Sequence, residues 1–198
     1  MEENATIIKL LDAAIFAAKE HKGQVRKGSS RLPYITHPLA VAREILQVGG
    51  IDDPDILVAA ILHDTIEDSK TPQDVIRERF GDRVLSLVLE VSDDKSLEKS
   101  ERKRLQVVHA PHLSNDAIAI KMADKIVNSR DILEDPPEDW SLKRLQEYIQ
   151  WSADVIYRVR GTNAHLEAVF DGILASAERE LNFKIQPFNT IDQRPWAP

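Results

Sequence analysis

The chain has 198 residues, of which 42% are hydrophobic, and a formal net charge of −7 at pH 7. This length and composition predict one domain with a sizeable core and no membrane-length apolar run. The acidic balance argues against broad binding of nucleic acid, because that requires a basic face. The chain contains no cysteine, which excludes disulfides, thiolate ligands and a catalytic thiol and is compatible with the cytoplasm, where we expect the protein.

Apolar residues recur at helical spacing over most of the chain. In the first segment, residues from Ile7 to Ala18 form an amphipathic pattern that predicts a helix ending near residues 21–23. This segment lacks the basic region and cleavage site of a secretion signal. His37-Pro38 and Asp53-Pro54 each place a proline in a first turn, which predicts the starts of a second and a third helix.

Further helices are predicted in the second part of the chain. Thr71-Pro72 is typical of an N-cap followed by a proline at the first helical position, and Gly81 is expected to end that helix. A charged stretch, residues 92–104, precedes a helix that resumes near Leu105. The other predicted helical segments are 84–91, 117–133, 141–160 and 163–181.

The sequence predicts an all-α fold. No segment shows the sustained alternation of apolar and polar residues that is typical of strands. We therefore expect a single compact bundle of about eight to ten helices with no significant sheet. We expect this domain to span residues 1–182. Residues 183–198 contain three prolines and a tryptophan, and they predict a C-terminal extension that lies on the surface or is partly disordered.

The densest chemical signal is LHDTIED, residues 62–68, at the end of the apolar third helix. At about 100° per residue, His63, Asp64, Glu67 and Asp68 share an arc of about 140° on one side of that helix. Burying such groups without partners costs several kcal/mol, and a bound cation satisfies an adjacent His and Asp together. The segment therefore predicts a metal site.

Two adjacent residues cannot complete a coordination shell, so further ligands must come from elsewhere in the chain. His37 begins the second helix directly after a loop, and Asp124 interrupts the apolar segment IKMADKIV where a core residue is expected. Either residue alone is more often structural than functional. As an ordered set, His37, His63, Asp64 and Asp124 predict the ligands of one divalent ion.

This ordered set resembles the H…HD…D ligands of the HD hydrolase superfamily. Six further motifs narrow the resemblance to small alarmone hydrolases of the metazoan SpoT homologue type, which are related to the hydrolase half of long RelA/SpoT enzymes. The resemblance extends from about residue 5 to about residue 180. The motifs are RKGSSRLPYITHP (26–38), AAILHDTIEDS (59–69), FGDRV (80–84), SDDKSLEKSERKRLQ (92–106), KMADKIVNSRDI (121–132) and W…R…EY (140–148).

The resemblance implies a metal-dependent guanosine-3′,5′-bis(diphosphate) 3′-pyrophosphohydrolase that acts in the stringent response, and an HD-type domain that performs hydrolysis alone. Its products are GDP or GTP plus pyrophosphate. Two imidazoles and two carboxylates without sulfur suit Mn²⁺ or another first-row ion. The resemblance also implies that Glu67 and Asp68 form the catalytic acid/base pair. The residues expected to contact substrate are Arg26, Lys27, Lys99, Asn128, Arg144 and Tyr148.

Two other functions stay open from sequence. The same site could dephosphorylate another nucleotide, such as NADPH at its 2′ phosphate, an activity known in this subgroup. Alternatively, the chain could be a nucleotide-binding module whose hydrolase site is silent. The expected partner is the guanosine tetra- or pentaphosphate substrate, with no nucleic acid and no membrane, and a homo-oligomer stays open.

Other aromatic and histidine residues are interpreted as structural. We expect Trp151 and Tyr157 to pack between helices, whereas Trp140 fits either packing or a nucleotide contact. The remaining histidines have no partner pattern and are expected to be ordinary surface or helix-end residues: His21, His109, His112 and His165.

Overall fold

Helices make up the regular structure of residues 2–188, the part of the chain that the computed structural model describes. This part contains ten α-helices, one short 3₁₀ helix and no β-strand, and an isolated bridge joins Val25 to Pro33. The all-α prediction is confirmed. The helices are α1 (Glu2–Glu20), α2 (Thr36–Gln47), α3 (Pro54–Leu62), α4 (Thr65–Ser69), α5 (Gln73–Phe80), α6 (Asp82–Val91), α7 (Lys99–His109), the 3₁₀ helix (Ala110–His112), α8 (Asn115–Glu134), α9 (Leu142–Tyr157) and α10 (Ala164–Glu180).

The third helix lies at the centre of the larger core. Every residue from Ile56 to Leu62 is buried, because α3 packs against α1, α2, α6 and α8. Its start is built as the sequence predicts: Asp53 accepts a hydrogen bond from the backbone N–H of Asp55 at 2.9 Å, and Pro54 lies in the first turn. The C-terminal end of α3 is thereby fixed deep inside the bundle.

The buried apolar residues form three clusters, and the long helix α8 contributes residues to all of them. It packs against α2, α3 and α6 and also against α9 and α10. Side chains in the middle of α8 therefore meet the first turn of α2 and the end of α3. Within residues 2–188, no helix is long and apolar enough to cross a membrane.

Several helix boundaries differ from the sequence-based predictions, among them the starts of α5 and α7. Thr71 is not the N-cap of α5, which begins at Gln73, because the Thr71 hydroxyl donates instead to Glu20 at 2.7 Å. Helix α7 begins at Lys99 and not near Leu105. The first turns of α7 consist of charged and polar residues, so a pattern of apolar residues at helical spacing did not predict them.

Residues 183–188 lie against α9. The backbone N–H of Gln186 donates to the Gln150 side chain at 2.7 Å, and the Phe188 ring stacks on Tyr157 with 4.4 Å between centroids. These contacts agree with the surface arm expected after residue 182. The rest of the predicted extension, 189–198, lies outside the described residues, so the domain boundary stays a prediction.

Candidate active site

The site forms where the apolar helix breaks. Helix α3 ends at Leu62 and α4 begins at Thr65, so His63 and Asp64 occupy a turn between them. Two side chains bond to carbonyls at this break: His63 Nδ1 donates to the Ala60 carbonyl, and the Thr65 hydroxyl donates to that of Leu62, both at 2.7 Å. The polar residues of this segment are therefore divided between the turn and α4. The prediction that they share one continuous helix was wrong.

Three elements bring the predicted metal ligands together. His37 comes from α2, His63 and Asp64 from the turn after α3, and Asp124 from α8. His37 Nε2 lies 3.2 Å from Asp124 Oδ1 and 3.7 Å from Asp64 Oδ2. His63 Nε2 lies 3.2 Å from Asp64 Oδ2 and 3.7 Å from Asp124 Oδ1. Ligand atoms about 2.1 Å from one ion are about 3.0 to 3.4 Å apart, and the two 3.2 Å distances fit this spacing. His37, His63 and Asp124 form a group that could hold a single cation, whereas Asp64 as a further ligand stays a prediction.

The ring of His63 is oriented in a way that suits a metal ligand, whereas Nδ1 of His37 is buried without a hydrogen-bond partner among residues 2–188. The Ala60 carbonyl can only accept, so His63 Nδ1 carries a proton and Nε2 faces the carboxylates. This buried Nε2 lies 3.2 Å from Asp64 and 3.7 Å from Asp124 but makes no well-directed hydrogen bond within residues 2–188. Burial lowers the pKa of His37, which favours the neutral imidazole that ligation requires. The Nε2 of His63 is the structural sign that the site fits a cation.

Carboxylate charge controls ionisation in the site. Burial opposes the charged form of His63, but Asp64 and Asp124 outweigh burial and raise the pKa of His63 to about 10. Burial also opposes ionisation of Asp124, yet Lys125 and the two histidines hold the pKa of Asp124 well below its ordinary value. The site therefore favours positive charge between two carboxylates, and a bound cation would displace the His63 proton.

Neighbouring side chains orient the carboxylates of both predicted ligands, Asp64 and Asp124. The Tyr34 hydroxyl donates to Asp64 Oδ2 at 2.6 Å, and Asn128 Nδ2 donates to Asp124 Oδ1 at 2.6 Å. Lys125 Nζ lies 3.1 Å from the other oxygen of Asp124. Such contacts fix ligand geometry and strengthen metal binding. Asn128 was predicted in this cleft, whereas Tyr34 was missed although it lies within the PYITHP motif.

The predicted pair Glu67 and Asp68 lies on α4 beside these ligands. Lys95 Nζ lies 2.8 Å from a carboxylate oxygen of each residue. Glu67 also accepts the Asp93 backbone N–H at 2.9 Å, and burial raises the pKa of Glu67. Asp68 connects to the ligand group through the Tyr34 hydroxyl, 3.3 Å from Asp68 Oδ2. A buried carboxyl group with a raised pKa is suited to proton transfer.

Cationic and aromatic side chains from the loop after α1 and from α7 to α9 gather into one cluster. The Arg144 guanidinium lies 4.2 Å and Lys27 Nζ 5.9 Å from the ring centroid of Trp140. Burial, and then the charges of Arg144 and Lys27, lower the pKa of Lys99. Like charges gathered beside aromatic rings suit an anionic ligand. The cation–aromatic cluster consists of Lys27, Lys99, Lys103, Trp140, Arg144, Tyr148 and Trp151.

Lys103 is the cationic member of this cluster that was not predicted from sequence to belong to the site. Its Nζ lies 4.9 Å from the Trp151 ring centroid and 5.8 Å from that of Tyr148. Burial, and then Lys99 and Lys125, lower the pKa of Lys103 to about 8. Because α7 begins at Lys99, Lys103 lies one turn further on the same face. The basic residues between 95 and 104 indicated positive charge. Without knowing that α7 begins at Lys99, however, the sequence did not predict which of them face inward.

Arg26 is placed differently from the other predicted substrate contacts. Its Nη2 donates to Asp131 at 2.6 Å and to Asn128 Oδ1 at 2.7 Å. These bonds tie the loop after α1 to α8 and orient Asn128. The structure thus gives Arg26 a positioning contact, and its direct contact with substrate stays a prediction.

The residues interpreted as structural lie partly as expected. The prediction that Tyr157 packs between helices was wrong, because its ring is 55% exposed and stacks on Phe188. His21 follows α1 as a helix-end residue, but it is buried, with its ring centroid 4.7 Å from that of Tyr34. Trp151 is buried and donates through Nε1 to the Lys103 carbonyl at 3.0 Å, so it packs α9 against α7. The other three histidines are exposed: His109, His112 and His165.

Comparison with known proteins supports the resemblance drawn from the motifs. The HD domain family matches residues 13–150. Guanosine-3′,5′-bis(diphosphate) 3′-pyrophosphohydrolase MESH1 of Xenopus tropicalis is 50% identical over 171 residues, 86% of this chain and 94% of that protein. The Homo sapiens protein of the same name is 50% identical over 159 residues, 80% of this chain and 89% of its own.

A solved structure gives the same result. It is described as a metazoan ortholog of SpoT that hydrolyzes ppGpp and plays a role in starvation responses. It has a TM-score of 0.83 and 40% identity to this chain, and the match covers 87% of this chain and 96% of that one. The chain belongs to the HD domain family.

Proposed function

We propose that this protein hydrolyses ppGpp and pppGpp at the ribose 3′ position, giving GDP or GTP and pyrophosphate. The observation that carries the proposal is the contact between the ligand group and the cation–aromatic cluster. Lys125 joins them, because its Nζ lies 3.1 Å from Asp124 and 4.1 Å from the Trp151 ring centroid. The relatives named for this reaction support the proposal. The cysteine-free sequence agrees with a cytoplasmic location.

Mn²⁺ is the proposed ion, held by His37, His63, Asp64 and Asp124. The fit rests on the Nε2 of His63, which makes no well-directed hydrogen bond within residues 2–188, and on the two carboxylates that face it. Imidazole and carboxylate donors suit Mn²⁺ or a similar first-row ion. When bound, such an ion lowers the pKa of a water molecule and offsets phosphate charge.

Glu67 and Asp68 handle the proton transfers in the proposed reaction. Water attacks the phosphorus next to the ribose 3′ oxygen, the bond between that phosphorus and the 3′ oxygen breaks, and the oxygen leaves as a hydroxyl. Glu67, whose pKa is raised by burial, accepts a proton from the attacking water. Asp68, fixed by Lys95 and Tyr34, orients the water and assists proton return to the leaving oxygen.

The cation–aromatic cluster binds the rest of the nucleotide. Lys99, Lys103 and Arg144 neutralise phosphate charge, and Lys27 adds a fourth cation beside Trp140. The ring centroid of Tyr148 lies 5.7 Å from that of Trp140. Both residues are partly exposed, so this side of the cleft offers aromatic surface to the guanine base.

Product identification with two nucleotides tests the proposal. Purified protein with Mn²⁺ is incubated with ppGpp and, separately, with NADPH, and the products are resolved by ion-exchange chromatography. We expect GDP and pyrophosphate from ppGpp, and loss of this activity in His63→Ala. Orthophosphate from NADPH with negligible ppGpp turnover would instead indicate a 2′-phosphatase. Tight ppGpp binding without any product would show a silent binding module, and either result would overturn the proposal.

A further inference from the structure

The first helix has an apolar face that no other part of residues 2–188 covers. One side of α1 is buried through Ala13, Phe16 and Ala17 and packs against α3 and α4. The opposite side presents four large aliphatic residues, each more than half exposed. These residues form the α1 stripe: Ile7 at 51%, Ile8 at 58%, Leu11 at 57% and Ile15 at 54%. Contiguous exposed apolar side chains mark an interaction surface, since their burial is favourable.

The spacing of the α1 stripe suits another helix. Ile8, Leu11 and Ile15 are separated by three and four residues, and exposed Asn4 and Ala18 continue the same spacing at either end. This alternation is the seam pattern of paired helices. Because the opposite face of α1 already makes the contacts to the domain core, the α1 stripe is free to pack against a helix of another molecule.

Charge along α1 favours a second copy in antiparallel orientation. Exposed Glu3 lies in the first turn, exposed Lys19 lies in the last turn, and exposed Lys22 follows two residues after the helix ends. If Leu11 of one copy faces Ile15 of the other, the acidic start of each helix meets the basic end of its neighbour. The helix dipoles then also oppose each other. A helix that binds a membrane surface carries mainly Lys and Arg beside its apolar face. The acidic residue Asp12 borders the α1 stripe, which favours a protein partner over a membrane.

We propose that α1 forms the interface of a homodimer, in which the α1 stripes of two copies pack antiparallel. A helix of this length spans about 28 Å, so one helix pair buries a small area. Such interfaces are weak, and we expect a dissociation constant of about 1 to 100 µM. The metal-ligand group lies wholly within one chain, so hydrolysis does not require the dimer.

Sedimentation velocity of the full chain between about 1 µM and about 1 mM tests the interface. The wild type is expected to change from monomer to dimer across this range. Leu11→Glu is expected to weaken association more than about tenfold, because it buries a charge in the seam, while turnover and circular dichroism stay unchanged. Leu46→Glu, at a residue 45% exposed on α2, is the matched control and should dimerise normally.

A charge exchange tests the orientation. Lys19→Glu with Lys22→Glu is expected to weaken association about tenfold, and adding Glu3→Lys should recover part of the loss. A wild type that stays monomeric, or a Leu11→Glu variant that dimerises normally, would overturn the proposal. Binding of wild type to phosphatidylcholine–phosphatidylserine vesicles without self-association would do the same. An unchanged dimer after reversal of both lysines would overturn the antiparallel arrangement.

Discussion

The Tyr34→Phe substitution removes one hydroxyl beside the metal ligands and keeps the ring that packs there. This hydroxyl donates to Asp64 Oδ2 at 2.6 Å and lies 3.3 Å from Asp68 Oδ2. A hydrogen bond to a charged group contributes about 1.5 to 3 kcal/mol, which corresponds to about 10- to 150-fold in affinity. Because Tyr34 is partly exposed, water replaces part of this bond. We therefore expect Mn²⁺ affinity to fall by about tenfold.

Calorimetric titration of metal-free protein with Mn²⁺ measures this loss directly. Turnover at saturating Mn²⁺ then shows whether the orientation of Asp64 also matters for the reaction. Tyr157→Phe is the matched control, because its exposed ring stacks on Phe188 and touches no ligand residue. If Tyr34→Phe binds Mn²⁺ and turns over substrate like the control, the hydroxyl does not orient Asp64.

Three further predictions address proton transfer, substrate charge and stability. Glu67→Gln should lower turnover by about 10²- to 10⁴-fold with Mn²⁺ affinity unchanged, and near-normal turnover would exclude Glu67 as the base. Because the pKa of Lys103 is lowered to about 8, its side chain loses its positive charge as the pH rises through that value. Inhibition by pyrophosphate should then weaken by up to about tenfold per pH unit in the wild type, but not in Lys103→Arg. If inhibition of the two proteins depends on pH in the same way, Lys103 does not belong to the anion site. Asp53→Ala removes the α3 cap and should lower the free energy of unfolding, measured in urea, by about 1 kcal/mol. Asp52→Ala, at an exposed neighbouring residue, is the control. If the two variants are equally stable, the cap contributes nothing to stability.

Local chemistry explains why much of the helical framework could be predicted. The prolines after His37 and Asp53 occupy first turns that tolerate the missing N–H. The all-apolar run before His63 favours a buried helix in a chain without strand patterns, and α3 is buried from Ile56 to Leu62. Burial also explains the prediction of the ligand group, because His and Asp side chains in apolar surroundings need a polar or charged partner, and a cation is one that satisfies both.

The contacts made across the fold could not be predicted in the same way. The Tyr34 hydroxyl meets Asp64 only after the loop before α2 packs against the turn after α3. Lys103 acquires its lowered pKa from burial beside Trp151 and from Lys125, which are distant in sequence. The break after Leu62 depends on side-chain bonds to carbonyls, and helical periodicity does not contain that information.

Metal reconstitution combined with pyrophosphate release tests the central claim most directly. Protein stripped of metal is titrated with Mn²⁺ while pyrophosphate formed from ppGpp is measured. We expect no activity without metal, full activity at one Mn²⁺ per chain, and neither tight binding nor activity in His63→Ala. Undiminished pyrophosphate release by stripped protein, or normal activity of His63→Ala, would contradict a reaction centred on His37, His63, Asp64 and Asp124.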